Sequence, residues 1–440
     1  MRPGIFEPLL VDREIAVLLG DAAQAEAMVE VERALARVQG RLGVIDAGAA
    51  AAIDAALAGL APDLDDLARG TAAAGVPVPA LVAQFRRAVG GPTAAFVHWG
   101  ATSQDIVDTA LVLRLREVIT LLKGRLAQLV EALAALAETH RATPTVARTR
   151  FQQAVPTVFG LKAAGWLAPL LRHRARLEEL EPRLLMVQLG GAAGNLAALG
   201  ERGVEVMEAL ARELDLACPA MPWHSQRDGP AELASWLALV TGSLGKFGQD
   251  VLLLAQNEIG EVREAAGGGS STMPQKSNPI RAEALVALAR QNATLVGGMH
   301  QAALHAHERD GAAWQLEWTI LPDMVGATGA ALALARDLAQ SVVVDPDRMR
   351  RTLAAAHGLP LAEAVSFALA EHMPRAAAQD LVKQACLDAI ASERNLIEVV
   401  AERSGAPVDW RKLREEAERP RAAAMLIDRV LNEAMPGRTR

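Results

Sequence analysis

The chain has 440 residues, 51% of them hydrophobic and 22% charged, with a formal net charge of -7. That length allows two or three domains with a large buried core, and its alanine- and leucine-rich composition favours long helices over sheets. The negative balance and the lack of tyrosine argue against a nucleic-acid surface, so an anionic small molecule would have to meet cations placed locally.

The two cysteines, Cys218 and Cys386, have no metal-ligand spacing and suggest a reducing compartment. The first ten residues lack a basic start followed by a long apolar core, and no uncharged, unbroken apolar run reaches 18 residues. The expectation is a soluble cytoplasmic protein with no membrane partner.

In chain order, Asp21 to Gly43 reads as a helix, with Met28, Val31, Leu35 and Val38 at helical spacing and Gly43 closing it. An alanine-rich helix follows over Ala47 to Leu60. Val76 to Val89 is interrupted by Pro77 and Pro79 before becoming helical. No strand pattern stands out beyond very short pieces. From Leu111 the apolar residues Leu115, Val118, Leu122, Leu126, Leu129, Leu133 and Leu136 recur in steps of three or four, which predicts one helix of about 30 residues, roughly 45 Å long. Leu233, Leu237, Val240, Leu244, Phe247, Val251 and Leu254 form a heptad seam. A third long helix is expected from about Ile280 to His307. The fold class is therefore all-α, with an N-terminal helical domain over 1–104, a central long-helix bundle over 105–343 and a C-terminal helical domain over 344–440.

Four segments carry candidate chemistry. His98-Trp99-Gly100-Ala101-Thr102-Ser103-Gln104-Asp105 leads into the first long helix, and Thr102 with Asp105 nearly forms a capping box. A helix start with free N–H groups and hydroxyls also suits a carboxylate. Arg148-Thr149-Arg150-Phe151-Gln152-Gln153 follows that helix. Residues 267–279 read Gly-Gly-Gly-Ser-Ser-Thr-Met-Pro-Gln-Lys-Ser-Asn-Pro, and Glu283 stands just beyond. The glycines supply a hinge through their freedom at positive φ, the prolines stop any helix, and hydroxyl, amide and ammonium groups crowd between them, as in a lid over an anion. His307-Glu308-Arg309-Asp310 is the fourth. Gln226 and Arg227 could also reach a site. Gly190 to Asn195 lacks the strand and helix of a dinucleotide loop. His300, His305 and His307 are not spaced to share a helix face, so no metal is expected.

The 267–279 loop resembles the signature of the fumarase/aspartase superfamily, Gly-Ser-Ser-x-Met-Pro-x-Lys-x-Asn, at every fixed position. The segments at His98 and Arg148 are similar to that superfamily's first and second conserved regions, and the likeness extends over nearly the whole chain. It implies a homotetramer with a shared 20-helix core, in which each active site draws its motifs from three subunits. It implies a small di- or tricarboxylate substrate and no cofactor. Ser270, Lys276 and Asn278 would be catalytic, with Ser271 the rival for proton transfer. His98, Thr102, Ser103, Arg148, Arg150, Gln153, Met273, Glu283 and Arg309 would bind substrate.

One position departs from the pattern: Arg150 stands where many lyases of the group have histidine, and arginine cannot exchange protons near neutral pH. This favours the cycloisomerase branch, in which a carboxylate of 3-carboxy-cis,cis-muconate adds within its own molecule to close a lactone. The alternative is a β-eliminating lyase on a substituted succinate, releasing fumarate.

Overall fold

The computed structural model describes residues 4–265, 267–269 and 272–435. The first part holds α1 (Glu7–Leu10), α2 (Arg13–Leu18), α3 (Asp21–Arg41), α4 (Ala47–Leu57), α5 (Leu64–Ala74) and α6 (Val78–Val89). The middle part runs α7 (Ser103–Thr139), β1 (Pro144–Thr149), β2 (Gln152–Val158), α8 (Phe159–Leu184), α9 (Gly203–Glu213) and α10 (Asp228–Leu254). It continues with β3 (Val262–Glu264), β4 (Gly268–Gly269), β5 (Ser277–Asn278), α11 (Ile280–Ala302), α12 (Gly311–Ser341) and β6 (Val342–Val344). The last part is α13 (Pro346–Ala354), α14 (Ala362–Ala370), α15 (Arg375–Ser392), α16 (Leu396–Ser404), α17 (Trp410–Glu418) and α18 (Arg421–Ala434). The protein is all-α; among the described residues its strands form three two-stranded antiparallel pieces.

Local chemistry explains these elements. In α3 the expected stripe of Met28, Val31, Leu35 and Val38 is buried, with Asp21 in the first turn and Arg41 in the last, as the helix dipole prefers. Pro79 falls in the first turn of α6, where a missing N–H costs nothing. Helix α7 runs 37 residues, about 55 Å. The third long helix stops at Ala302 rather than His307.

Two compact units emerge. The first comprises Met1–Arg125, His173–Gly242 and Leu288–Leu332. Its core joins α3, α4 and α6 to the start of α7, α9 and Trp314. The second comprises Leu126–Arg172, Ser243–Ala287 and Ala333–Arg440. There Trp166 packs between Phe159 and Phe247 and donates from Nε1 to Asp250 at 2.8 Å. A separate cluster of Val365, Leu369, Val382, Leu396 and Val400 holds the C-terminal helices together.

By length and composition Asp228–Leu254 and Gly311–Ser341 could cross a membrane, but 50% and 61% of their apolar windows are buried within the protein. They read as core helices.

The β1–β2 hairpin was not legible in the sequence. Its two-residue turn is Arg150-Phe151, with φ of +50° and +65°, both in the left-handed region of a type I′ turn. Such turns normally announce themselves by Asn-Gly, and Pro144 and Pro156 further mask the strands.

Candidate active site

In the first unit the site is built around Asp105, which is 1% exposed on the first turn of α7. Its carboxylate accepts from the Thr102 amide at 2.9 Å, the Gly190 amide at 2.8 Å and the Gly191 amide at 2.9 Å, and pairs with His224 Nε2 at 2.7 Å. The Thr102 bond is the reciprocal half of the capping box read from the sequence. The 190–191 amides are thus engaged by a protein carboxylate. Gly100 makes the turn before Thr102: its φ is +73°, and a Cβ there would lie 2.5 Å from Leu199.

Arg309 closes over this helix start. One amino group donates to Thr102 Oγ1 at 2.9 Å, and the other to the carbonyls of Gly191 and Ala192 at 3.3 and 3.1 Å. Asp310 caps α12 through the amides of Ala312 and Ala313, which fixes the turn carrying Arg309. Residues 207 apart in sequence therefore meet: Thr102 and Arg309, with Ser103 beside them.

His98 sits before the Gly100 turn at φ +64°, with Nδ1 2.5 Å from Glu32 Oε1. Burial alone would lower its pKa, but the Glu32 carboxylate, seconded by Asp105 against the opposing Arg86, holds it above the ordinary histidine value.

Arg227 lies outside the site. It is 2% exposed and donates to Asp108 at 2.7 Å and to Glu317 at 2.6 Å, with its guanidinium over the Trp223 ring. Trp314 Nε1 adds a bond to Asp108 at 3.0 Å. Burial raises the Glu317 carboxyl against the pull of Arg227, with Asp108 adding to the rise. A cleft of about 620 Å³ in the first unit is a largely apolar space bordered by Met28, Leu67, Leu111 and Trp318, and none of the motif side chains lines it.

The second unit carries the other motifs. Arg148 makes a bidentate pair with the buried Glu261, at 2.9 and 2.8 Å, and faces Gln153 across the hairpin register. Arg150 and Phe151 are at the exposed tip, Phe151 at 83% exposure, and Gln153 is exposed too.

The signature loop forms a small flap. Its arms are β4 and β5, with Gly268 opposite Asn278 and Gly269 opposite Ser277, and the Lys276 amide closes its end on the Met273 carbonyl at 3.0 Å. Met273 and Lys276 are exposed, Asn278 is half-buried, and Ser270 and Ser271 lie outside the described residues. The glycines act differently from the hinge expected. None of Gly267, Gly268 and Gly269 has positive φ. Two of them provide room: a Cβ on Gly267 would lie 2.0 Å from Ser277 Oγ, and one on Gly268 2.0 Å from Ile280, whereas one on Gly269 would meet nothing within 4 Å. At the flap's base Glu264 accepts from the Ala282 amide at 3.0 Å at the start of α11, whose first turn exposes Glu283.

The sequence reading missed Glu32, Glu261 and Gln39, whose Nε2 donates to the Trp99 carbonyl at 2.7 Å. Glu32 and Gln39 interrupt the apolar face of α3, and that interruption is the signal that could have found them.

A lyase family model matches residues 16–293. The 3-carboxy-cis,cis-muconate cycloisomerase of Pseudomonas aeruginosa is 46% identical over 404 residues, covering 90% of this chain and 88% of its own length. The protein of the same name from Bradyrhizobium diazoefficiens is 41% identical over 440 residues, covering 97% of each. The crystal structure of 3-carboxy-cis,cis-muconate lactonizing enzyme from Pseudomonas putida superposes with a TM-score of 0.91 at 40% identity, covering 98% of this chain and 99% of that one. Extended likeness over the whole length, joined to the flap and the capped helix start, shows that the chain belongs to the lyase family of the fumarase/aspartase superfamily.

Proposed function

We propose that the chain converts 3-carboxy-cis,cis-muconate to 4-carboxymuconolactone. The observation that carries this reading is a complete lyase signature combined with Arg150, a residue unable to act as an acid, in relatives' company that bears the cycloisomerase name.

The chemistry follows from the substrate. One of its carboxylate oxygens attacks a carbon of the conjugated diene and forms the C–O bond. The displaced π pair moves to the carbon next to another carboxylate, giving an aci-carboxylate. Lys276 and Asn278 stabilise that charge, and a preorganised donor of this kind contributes roughly 2.7–4 kcal/mol. Ser270 then gives its proton to that carbon and recovers one from solvent, Ser271 being the rival donor. No leaving group needs a proton, so a permanent cation at position 150 is compatible with turnover. The addition is neither an oxidation nor a reduction and calls for no redox cofactor.

Arg150 and Arg309, with His98, Thr102, Ser103 and Gln153, are the proposed holders of the substrate carboxylates, and Met273 and Glu283 border them. Arg148, engaged by Glu261, keeps the hairpin in place. We read the chain as 1–104, 105–343 and 344–440, with four copies joined through the central segment and each site completed by motifs from three copies. The exposed Arg150-Phe151 tip supports that assembly. Unpaired Cys218 and Cys386 fit a cytoplasmic protein.

Loss of the diene absorbance with lactone formation is the expected outcome on 3-carboxy-cis,cis-muconate. Fumarate release from a substituted succinate, with no action on the muconate, would instead establish the eliminating lyase. Ser270→Ala should lower kcat by at least about a hundredfold; wild-type turnover in that variant would remove Ser270 from the mechanism.

A further inference from the structure

The apolar face of α3 contains two buried polar residues. Glu32 is 3% exposed and Gln39 1%, and their spacing of seven puts them on one side of the helix, two turns apart. A carboxylate and a carboxamide in a core are unfavourable unless their polar atoms are satisfied. Both are satisfied by the same short segment: Gln39 by the Trp99 carbonyl at 2.7 Å, Glu32 by His98 Nδ1 at 2.5 Å. That segment is strained, since His98 holds a left-handed φ of +64° without being glycine. Two core side chains of α3 thus act on one ring and its neighbour.

The pair is asymmetric. Glu32's side chain is 2% exposed and His98's is 17%, and among the described residues Nε2 has no hydrogen-bond partner. The carboxylate side is sealed and the Nε2 side is open. We propose that Glu32 is a positioning residue: it fixes the His98 ring and keeps it charged, so that Nε2–H is offered to a carboxylate of the substrate. The proposal rests on the cycloisomerase reading for the identity of that substrate; the Glu32–His98 pair itself does not.

The charged groups facing His98 are Glu32 on α3, Asp105 on α7 and Arg86 on α6. Burial and Arg86 oppose the charge, and the two carboxylates outweigh them. An arginine cannot change its charge in the neutral range, whereas a histidine can. His98 therefore makes substrate binding depend on pH. The sign is fixed: with its pKa raised, His98 stays charged past the ordinary histidine value, and KM climbs once the pH rises through the raised one.

Glu32→Gln separates orientation from charge. Its carbonyl oxygen can still accept from Nδ1–H, but the negative charge is gone. The titration of His98 is followed by hydrogen–deuterium exchange at its ring carbon, read by mass spectrometry, alongside pH profiles of KM and kcat on the muconate. In Glu32→Gln the His98 midpoint should fall, and KM at a pH between the two midpoints should rise severalfold, with kcat little changed. Glu32→Asp, which keeps the charge, should recover most of the profile. An unmoved His98 midpoint, or a loss in kcat alone that is the same at every pH, overturns the proposal.

His98→Gln is the second arm and serves even where Glu32→Gln does not fold. It should flatten the alkaline rise in KM; a rise that persists refutes the role of His98. A wild-type enzyme inert on the muconate would end the cycloisomerase reading alone. The pair is then judged with propane-1,2,3-tricarboxylate as probe, which should raise the His98 midpoint in the wild type and bind more weakly to Glu32→Gln at neutral pH; no rise in the wild type overturns the proposal.

Discussion

Arg227 shows how differently two arginines of this chain behave. Its guanidinium bridges Asp108 and Glu317, all three side chains within 1% of full burial. Removing the cation alone leaves two carboxylates in a dry core. Arg227→Met should therefore cost about 3–5 kcal/mol, the range for breaking a buried ion pair on one side. Thermal inactivation followed by activity measures it. Adding Glu317→Gln to Arg227→Met should return part of the loss, because one of the stranded charges goes with it. A variant as stable as the wild type would mean that water reaches this network. Arg309 has no carboxylate partner among the described residues and bonds only a hydroxyl and two carbonyls, so a substrate carboxylate still has a use for its charge. In sequence both arginines stand near a helix start with acidic neighbours. Only the fold separates the structural cation from the candidate binding one. The Thr102–Asp105 bond was legible because it is local; the bonds from Asp105 to Gly190 and from His98 to Glu32 were not, because they span 85 and 66 residues.

At the scale of the element, the long helices were legible because 3.6-residue periodicity repeats many times over. Every seam residue of α10 from Leu233 to Leu254 is buried, and so is the α7 stripe from Leu115 to Leu136. The strand pairings of the hairpin and of the loop read as a lid were not legible, since they rest on only five and two residue pairs with no repeated pattern. The flap also shows why three glycines were read for the wrong property. None of the three has a positive φ, and at Gly267 and Gly268 the missing side chain is what Ser277 and Ile280 require. Gly267→Val follows from this. A side chain there would meet Ser277 and, at 3.1 Å, the Asn278 carbonyl, prising β5, which carries Asn278 and follows Lys276, away from β4. A displacement near 1 Å at such a position lowers turnover by about a hundredfold. The flap is exposed and contributes little burial, so the thermal midpoint should hold. A variant with wild-type kcat would show that flap register is irrelevant to the chemistry.

For the whole molecule, the motif residues divide between two compact units: His98, Thr102, Ser103 and Arg309 in one, Arg150, Gln153, Lys276 and Asn278 in the other. An isolated chain also carries a 83% exposed phenylalanine at the tip of a strained turn, beside the arginine proposed to hold substrate. A large apolar side chain held there at a conformational cost is explained if another copy covers it. Subunit sharing can be tested without any structure of the assembly. Arg150→Met and Lys276→Met should each be inactive. Dissociated, mixed in equal amounts and reassembled, they should regain about a quarter of wild-type activity if the two residues of one site come from different copies, because a site is intact only when each position is filled by the chain that kept it. If both residues of a site come from the same chain, every reassembled site still lacks one of them and activity stays at the level of the single variants. That result would leave the residue assignments standing and refute the shared assembly.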